Sequence, residues 1–188
     1  STTCGLGICN KTVDNCQNGQ LVNCDPMAGA QSSDLPDDAF TDSNCDGIDG
    51  DASKAVFVDV NSGSDGGQGS KNSPYKTLSK AIEKASASGK NQILVSQGAY
   101  VGAITLKNGV SIYGGYNKAD GWSRGPANTV QLTGATTIVT ATNITKNTVL
   151  DRVIISAFSN ASLSGSSYGL LLNNADKLVV SNCTVSAG

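Results

Sequence analysis

The distribution of apolar residues changes near residue 54. Before it, Cys, Asp, Ser and Gly interrupt every apolar run, and neither a strand nor a helix period is sustained. After it, Ala55-Val56-Phe57-Val58-Asp59-Val60 reads as a strand, followed by a Gly- and Ser-rich loop over 61–73. Leu78, Ala81, Ile82 and Ala85 then recur at helical spacing, while Lys76, Lys80, Glu83 and Lys84 fall elsewhere on the same wheel. With Pro74 near its start and Gly89 past its end, this pattern predicts one short amphipathic helix over 74–88. Short, often β-branched segments follow at 93–96, 103–106, 110–113, 129–132, 136–140, 148–156, 169–172, 178–180 and 183–185, separated by Gly or Asn.

These strands are too irregularly spaced for a meander of tight hairpins. Leu150-Asp151-Arg152-Val153-Ile154-Ile155-Ser156 recurs as Val180-Ser181-Asn182-Cys183-Thr184-Val185-Ser186, and recurrence at long period is the mark of stacked coils. A coil buries its inward residues only against its neighbours, so the ends of a stack need covers. The amphipathic helix supplies one at the N-terminal end by hiding the apolar end and the unpaired strand groups. After the 183–185 segment the sequence offers no second cover, which leads to the expectation of continuation or of head-to-tail stacking. The expected fold class is all-β: a right-handed parallel β-helix (solenoid) over 54–188 with one N-terminal amphipathic capping helix, preceded by a small disulfide-rich module over 1–30 and an acidic connector over 31–53.

The chain has 188 residues, of which 38% are hydrophobic and only 5% aromatic, with 22 Gly, which suits short strands joined by turns. A formal charge of −2 offers no basic field, so nucleic acid, an anionic membrane surface and polyanions in general are disfavoured as partners. No apolar run approaches a membrane span of about 20 residues. Cys4, Cys9, Cys16, Cys24 and Cys45 crowd the first quarter and Cys183 lies far downstream. A segment too polar to bury a core gains most from covalent closure, so all six are assigned to disulfides and the chain to the cell surface or extracellular space. Zinc is the weaker alternative, because there is no C-x-x-C pair and no His. Connectivity stays open, with Cys45–Cys183 and a buried Cys183 thiol both admissible.

The richest chemistry lies in Asp42-Ser43-Asn44-Cys45-Asp46-Gly47-Ile48-Asp49-Gly50-Asp51. Side-chain oxygens alternate around a turn-forming Gly, matching the D-x-[DN]-x-[DN]-G start of a calcium loop: Asp42, Asn44 and Asp46 as ligands, with the Ile48 carbonyl at position 7. Ser53 stands where an EF-hand carries its bidentate Glu, so Asp49, Asp51, Asp37 or Asp38 would complete the shell. The expected cofactor is calcium, acting as a structural ion. The competing reading is an acidic turn-rich linker.

The residues Val56-Phe57-Val58-Asp59, Gly63-Ser64-Asp65, Ser73-Pro74-Tyr75-Lys76-Thr77-Leu78, Ile93-Leu94-Val95-Ser96-Gln97-Gly98-Ala99-Tyr100 and Val110-Ser111-Ile112-Tyr113-Gly114-Gly115 resemble the N-terminal part of secreted pectin-lyase-like right-handed parallel β-helix proteins. Cys4-Gly-x-Gly-x-Cys9 through Cys24, with Asn44-Cys45-Asp46-Gly47-Ile48-Asp49, is similar to the cysteine-and-aspartate metal-binding modules of large myxobacterial-type surface proteins. Such β-helices include polysaccharide lyases and hydrolases, adhesins and structural shafts. A lyase needs a carboxylate cluster and an Arg or Lys base, whereas the coil region offers Asp151, Arg152, Asp176 and Lys177 as its main charges, with no carboxylate cluster around them. The leading expectation is therefore a secreted bacterial surface or matrix protein in structure or adhesion, partnered by itself or by a surface glycan. A polysaccharide-active enzyme is the first alternative. The second is a carbohydrate-binding module, with Tyr116, Trp122 and Arg124 as the candidate sugar contacts.

Overall fold

The computed structural model describes residues 1–162 and 164–188, and the chain divides into two compact units, 1–53 and 54–188. In the first unit, β1 (Thr2–Cys4) pairs antiparallel with β2 (Lys11–Val13), and β3 (Cys16–Gln17) with β4 (Gln20–Leu21). These strands bury little, and covalent links take the place of a core: Cys4 is bonded to Cys24 and Cys9 to Cys45. The expected segments 1–30 and 31–53 are thus parts of one unit, joined further by Ile8 N donating to Asp42 O at 3.1 Å. Gly7 (φ 50) makes the approach possible, since a Cβ there would stand 2.1 Å from Asp42 O.

Cys16 and Cys183 do not bear out the assignment of all six cysteines to disulfides. Both are free: Cys16 is exposed on β3, and Cys4 and Cys9 have already taken Cys24 and Cys45 as partners. Cys183 sits among core side chains with its Sγ 3.4 Å from Leu150 O, and burial pushes its thiol up.

The second unit is mostly β, in parallel sheets. It contains β5 (Ala55–Val58), α1 (Leu78–Ser88), β6 (Gln92–Ser96), β7 (Gly98–Val101), β8 (Ile104–Thr105), β9 (Ser111–Asn117) and β10 (Ser123–Arg124). There follow β11 (Val130–Thr133), β12 (Thr137–Thr142), β13 (Thr148–Asp151), β14 (Ile154–Ser156), β15 (Tyr168–Asn173), β16 (Leu178–Ser181) and β17 (Thr184–Ser186). One sheet runs β5-β6-β9-β13-β16, a second β7-β11-β14-β17 and a third β8-β12-β15. From β6 onward the chain passes first sheet, second sheet, third sheet and back to the first, with only β10 leaving the rotation to pair antiparallel with β9. Like residues therefore stack on like: Val56, Ile93, Ile112, Leu150 and Val180 form one ladder, and Tyr100, Leu132, Ile155 and Val185 another. The recurrence of 150–156 at 180–186 is this same register, with Leu150 opposite Val180 and Ile155 opposite Val185.

The expected single strand over 148–156 is broken. Arg152 adopts a left-handed conformation (φ 55) and turns the chain from the first sheet into the second, and Asn182 (φ 52) does the same one circuit later. The helix begins at Leu78 rather than at 74, because Tyr75 is held to β5 through Tyr75 N to Phe57 O and Asp59 N to Tyr75 O, both 2.9 Å. Asp65 then receives the amides of Lys76 and Thr77, and Thr77 Oγ1 caps Lys80 N at 3.2 Å. Leu78, Ala81, Ile82 and Ala85 are buried in one core with Val56, Val58, Ile93 and Val95.

Candidate functional site

The acidic loop is built around carboxylates that accept main-chain N–H groups. Asp42 takes Asp46 N at 3.1 Å and Gly47 N at 2.8 Å, the latter made possible by the left-handed Gly47 (φ 89). Asp46 takes Ile48 N at 3.3 Å and Ala52 N at 2.9 Å, and Asn44 lies against it with Nδ2 donating to Asp46 Oδ2 at 3.0 Å. Asp49 accepts Asp37 N at 3.2 Å, Asp37 accepts Ala39 N at 2.8 Å and Asp51 accepts Ser53 N at 3.0 Å. Ile48 is buried, and Asp38 is exposed at the surface.

Asp34 was not singled out from the sequence, yet it fastens both ends of this loop: its Oδ2 accepts Ser43 N at 2.9 Å and Gly50 N at 3.2 Å. Burial pushes its carboxyl above the usual range; the two N–H donors oppose this, and the charges of Asp42 and Asp37 add to it. The only sequence signal was an Asp upstream of the motif, which carries no positional information.

Asp34, Asp42, Asp49 and Asp51 are all buried, in a unit whose nine aspartates are accompanied by Lys11 as the sole Lys or Arg. That charge imbalance suits a cation. The geometry does not gather the ligands: among the described residues no three Asp, Glu, Cys or His side chains converge as a metal site.

The aromatic residues expected to meet a sugar are in the interior. Tyr116 is 0% and Trp122 2% exposed. Trp122 packs edge-on against Phe57 with ring centroids 4.8 Å apart and donates its indole N–H to Lys71 O at 3.1 Å. Arg124 lies over the Tyr113 and Tyr116 rings and forms an ion pair with Asp151. The β9–β10 hairpin turns these side chains inward, so they offer no platform to a ring from solvent.

Asp151 is equally committed. Besides Arg124 it accepts Ser181 Oγ at 2.7 Å and Asn182 Nδ2 at 2.8 Å, and Arg152 Nε lies 3.7 Å from it. Asp151 and Arg152 do not face opposite sides of one strand, because Arg152 is the corner residue between two sheets.

Fold and site together define a mostly β protein of rotating parallel sheets, joined in sequence to a disulfide-bonded acidic unit. Residues 61–187 match the family described as protein of unknown function (DUF1565), and the chain belongs to that family. No curated protein matches it, and no solved structure does. Among the described residues no helix is long and apolar enough to cross a membrane.

Proposed function

We propose that this chain is an extracellular structural or adhesive protein, a right-handed parallel β-helix of the pectin-lyase-like kind joined to a calcium-ordered, disulfide-bonded module like those of myxobacterial-type surface proteins. The observation that carries this reading is the rotation of β6 through β17 among three parallel sheets around continuous aliphatic ladders. In such a coil α1 acts as the cap, since its apolar face lies on β5 and β6. Two disulfides support a location outside the cytoplasm.

Calcium would be held by Asp42, Asn44, Asp46 and the Ile48 carbonyl, with Asp34, Asp49 and Asp51 beside them. Bound there, the ion would supply neutralising charge to a unit with nine aspartates and one lysine. Exposed Val179, Val180 and Val185 are the apolar residues through which copies would stack head to tail.

A catalytic role for the Asp151–Arg152 pair is disfavoured by its bonding, because Asp151 is occupied by Arg124, Ser181 and Asn182. Incubation with acidic polysaccharides tests the choice. No unsaturated or reducing sugar ends are expected, and turnover that Arg152→Ala abolishes would replace this reading with that of an enzyme.

A further inference from the structure

Strands β5, β6 and β9 end side by side in the first sheet, and the segments that leave them, 59–62, 96–97 and 117–119, enclose a cavity of about 250 Å³. Its wall holds one acid, Asp59, and one base, Lys118. Asp59 is 3% and Ser96 2% exposed, so both belong to the floor, whereas Asn61 is exposed and Asn117 and Lys118 are half-buried.

Asp59 Oδ2 turns the chain after β5 by accepting the Ser62 N–H at 2.9 Å and the Ser62 hydroxyl at 2.6 Å. Among the described residues nothing donates to its other oxygen, Oδ1. Lys118 Nζ donates to the same Ser62 hydroxyl at 2.8 Å, so one hydroxyl separates the ammonium from the carboxylate, and two of the three ammonium protons remain. Ser96 Oγ accepts Lys118 N at 3.1 Å and keeps its own proton for a further acceptor. Asn117 Oδ1 accepts Ala119 N at 3.1 Å, which leaves its amide N–H groups to donate.

A buried carboxylate oxygen without a donor is costly, and a cationic ligand group removes that cost. Beside it, Lys118 Nζ and Ser96 Oγ call for an acceptor. A metal ion would satisfy Asp59 but meet the Lys118 ammonium, and a simple anion would satisfy Lys118 but meet Asp59. A neutral sugar would leave both charges uncompensated and find no aromatic side chain in the wall. An α-amino acid carries an ammonium and a carboxylate on one carbon, and so answers both charges at once. We propose that this cavity binds a free α-amino acid as its zwitterion, with the ammonium on Asp59 Oδ1 and the carboxylate on Lys118 Nζ and Ser96 Oγ. The amides of Asn61, Gln97 and Asn117 border the remaining space, so a short polar side chain fits better than an aliphatic or aromatic one. The cavity lies wholly within 54–188, and binding there depends neither on calcium nor on adhesion.

The test is calorimetric titration of the full oxidised chain with glycine, L-serine and L-asparagine, with glucose as comparison. At least one of the three amino acids should bind with a Kd of roughly 1 mM or tighter. The N-acetyl derivative of the best binder lacks the ammonium and its amide derivative lacks the carboxylate, and each should bind roughly tenfold more weakly or worse. Lys118→Gln should weaken the amino acid roughly tenfold but leave the amide derivative unchanged, because that derivative has no carboxylate to lose. Lys177→Gln, exposed and outside the cavity, should change neither. Asp59→Asn keeps an acceptor for Ser62 and should abolish binding, with far-ultraviolet circular dichroism checking that it folds; if it does not, Lys118→Gln and the two derivatives decide alone. No binding by any of the three amino acids, equal binding of the N-acetyl derivative, an unaffected Lys118→Gln or tighter binding of glucose would each overturn the proposal.

Discussion

Cys9 and Cys45 are bonded across a separation of 36 residues, and this link fastens the acidic loop to the first turn of the chain. Cys4–Cys24 closes a shorter loop, of separation 20. On chain entropy alone, the longer closure stabilises by about 4 kcal/mol and the shorter by about 3 kcal/mol. Cys9→Ser/Cys45→Ser should therefore expose 1–53 to limited proteolysis more than Cys4→Ser/Cys24→Ser does. Cleavage confined to that segment, with 54–188 surviving, is the expected pattern.

Asp34 links pH to the same loop. Its folded pKa lies above its ordinary value of 3.8, so its contribution is fully present below that value and is lost as pH rises through the folded value. In calcium-free buffer the Ser43 and Gly50 amides should exchange with solvent faster as pH rises through this interval, after correction for intrinsic exchange. Asp34→Asn should flatten that dependence, since it keeps an acceptor oxygen and has no proton to lose. Asp34→Ala removes the acceptor for both amides and should cost about 1–3 kcal/mol.

Asp151 gives the largest expected loss in the coil unit. It is 5% exposed, paired with Arg124 and bonded to Ser181 and Asn182 across two circuits. Breaking a buried pair from one side costs about 3–5 kcal/mol, so Asp151→Ala should lower the urea midpoint sharply. A neutral result would mean that the network does not hold β13 to β16.

Asp65 anchors the start of α1. Burial raises its pKa, but the Thr77 N–H and hydroxyl, the Lys76 N–H and the Lys80 charge together lower it. Its stabilising effect is therefore present above the ordinary value of 3.8 and is lost as pH falls through the depressed folded value. Asp65→Ala should cost about 1 kcal/mol at neutral pH, as removal of a helix cap does, and should matter less in strong acid. Urea titrations at two pH values check both halves.

Local patterns carried well from sequence to structure, and long-range placement did not. Leu78, Ala81, Ile82 and Ala85 announced the buried face of α1, because helical spacing is a local property. The kinship of 150–156 and 180–186 was visible because those circuits have equal length. Trp122 and Tyr116 resembled surface aromatics, since their flanking Gly and Asn residues read as a loop until the β9–β10 hairpin folds them onto Phe57 and Arg124. Asp34 carried no sequence mark, because its role depends on two amides, Ser43 and Gly50, brought to it by the fold.

The most direct test of calcium ordering is thermal unfolding of the oxidised chain across a calcium titration, with magnesium as control and Asp46→Ala as the loop variant. A ligand bound only by the folded state raises the melting temperature with concentration, by about 2.7 kcal/mol of stability at one hundred times its Kd. The expected result is a calcium-specific rise that Asp46→Ala removes. No rise, or an equal rise with magnesium or in the variant, would contradict a calcium-ordered module and reduce 31–53 to a disulfide-held acidic loop.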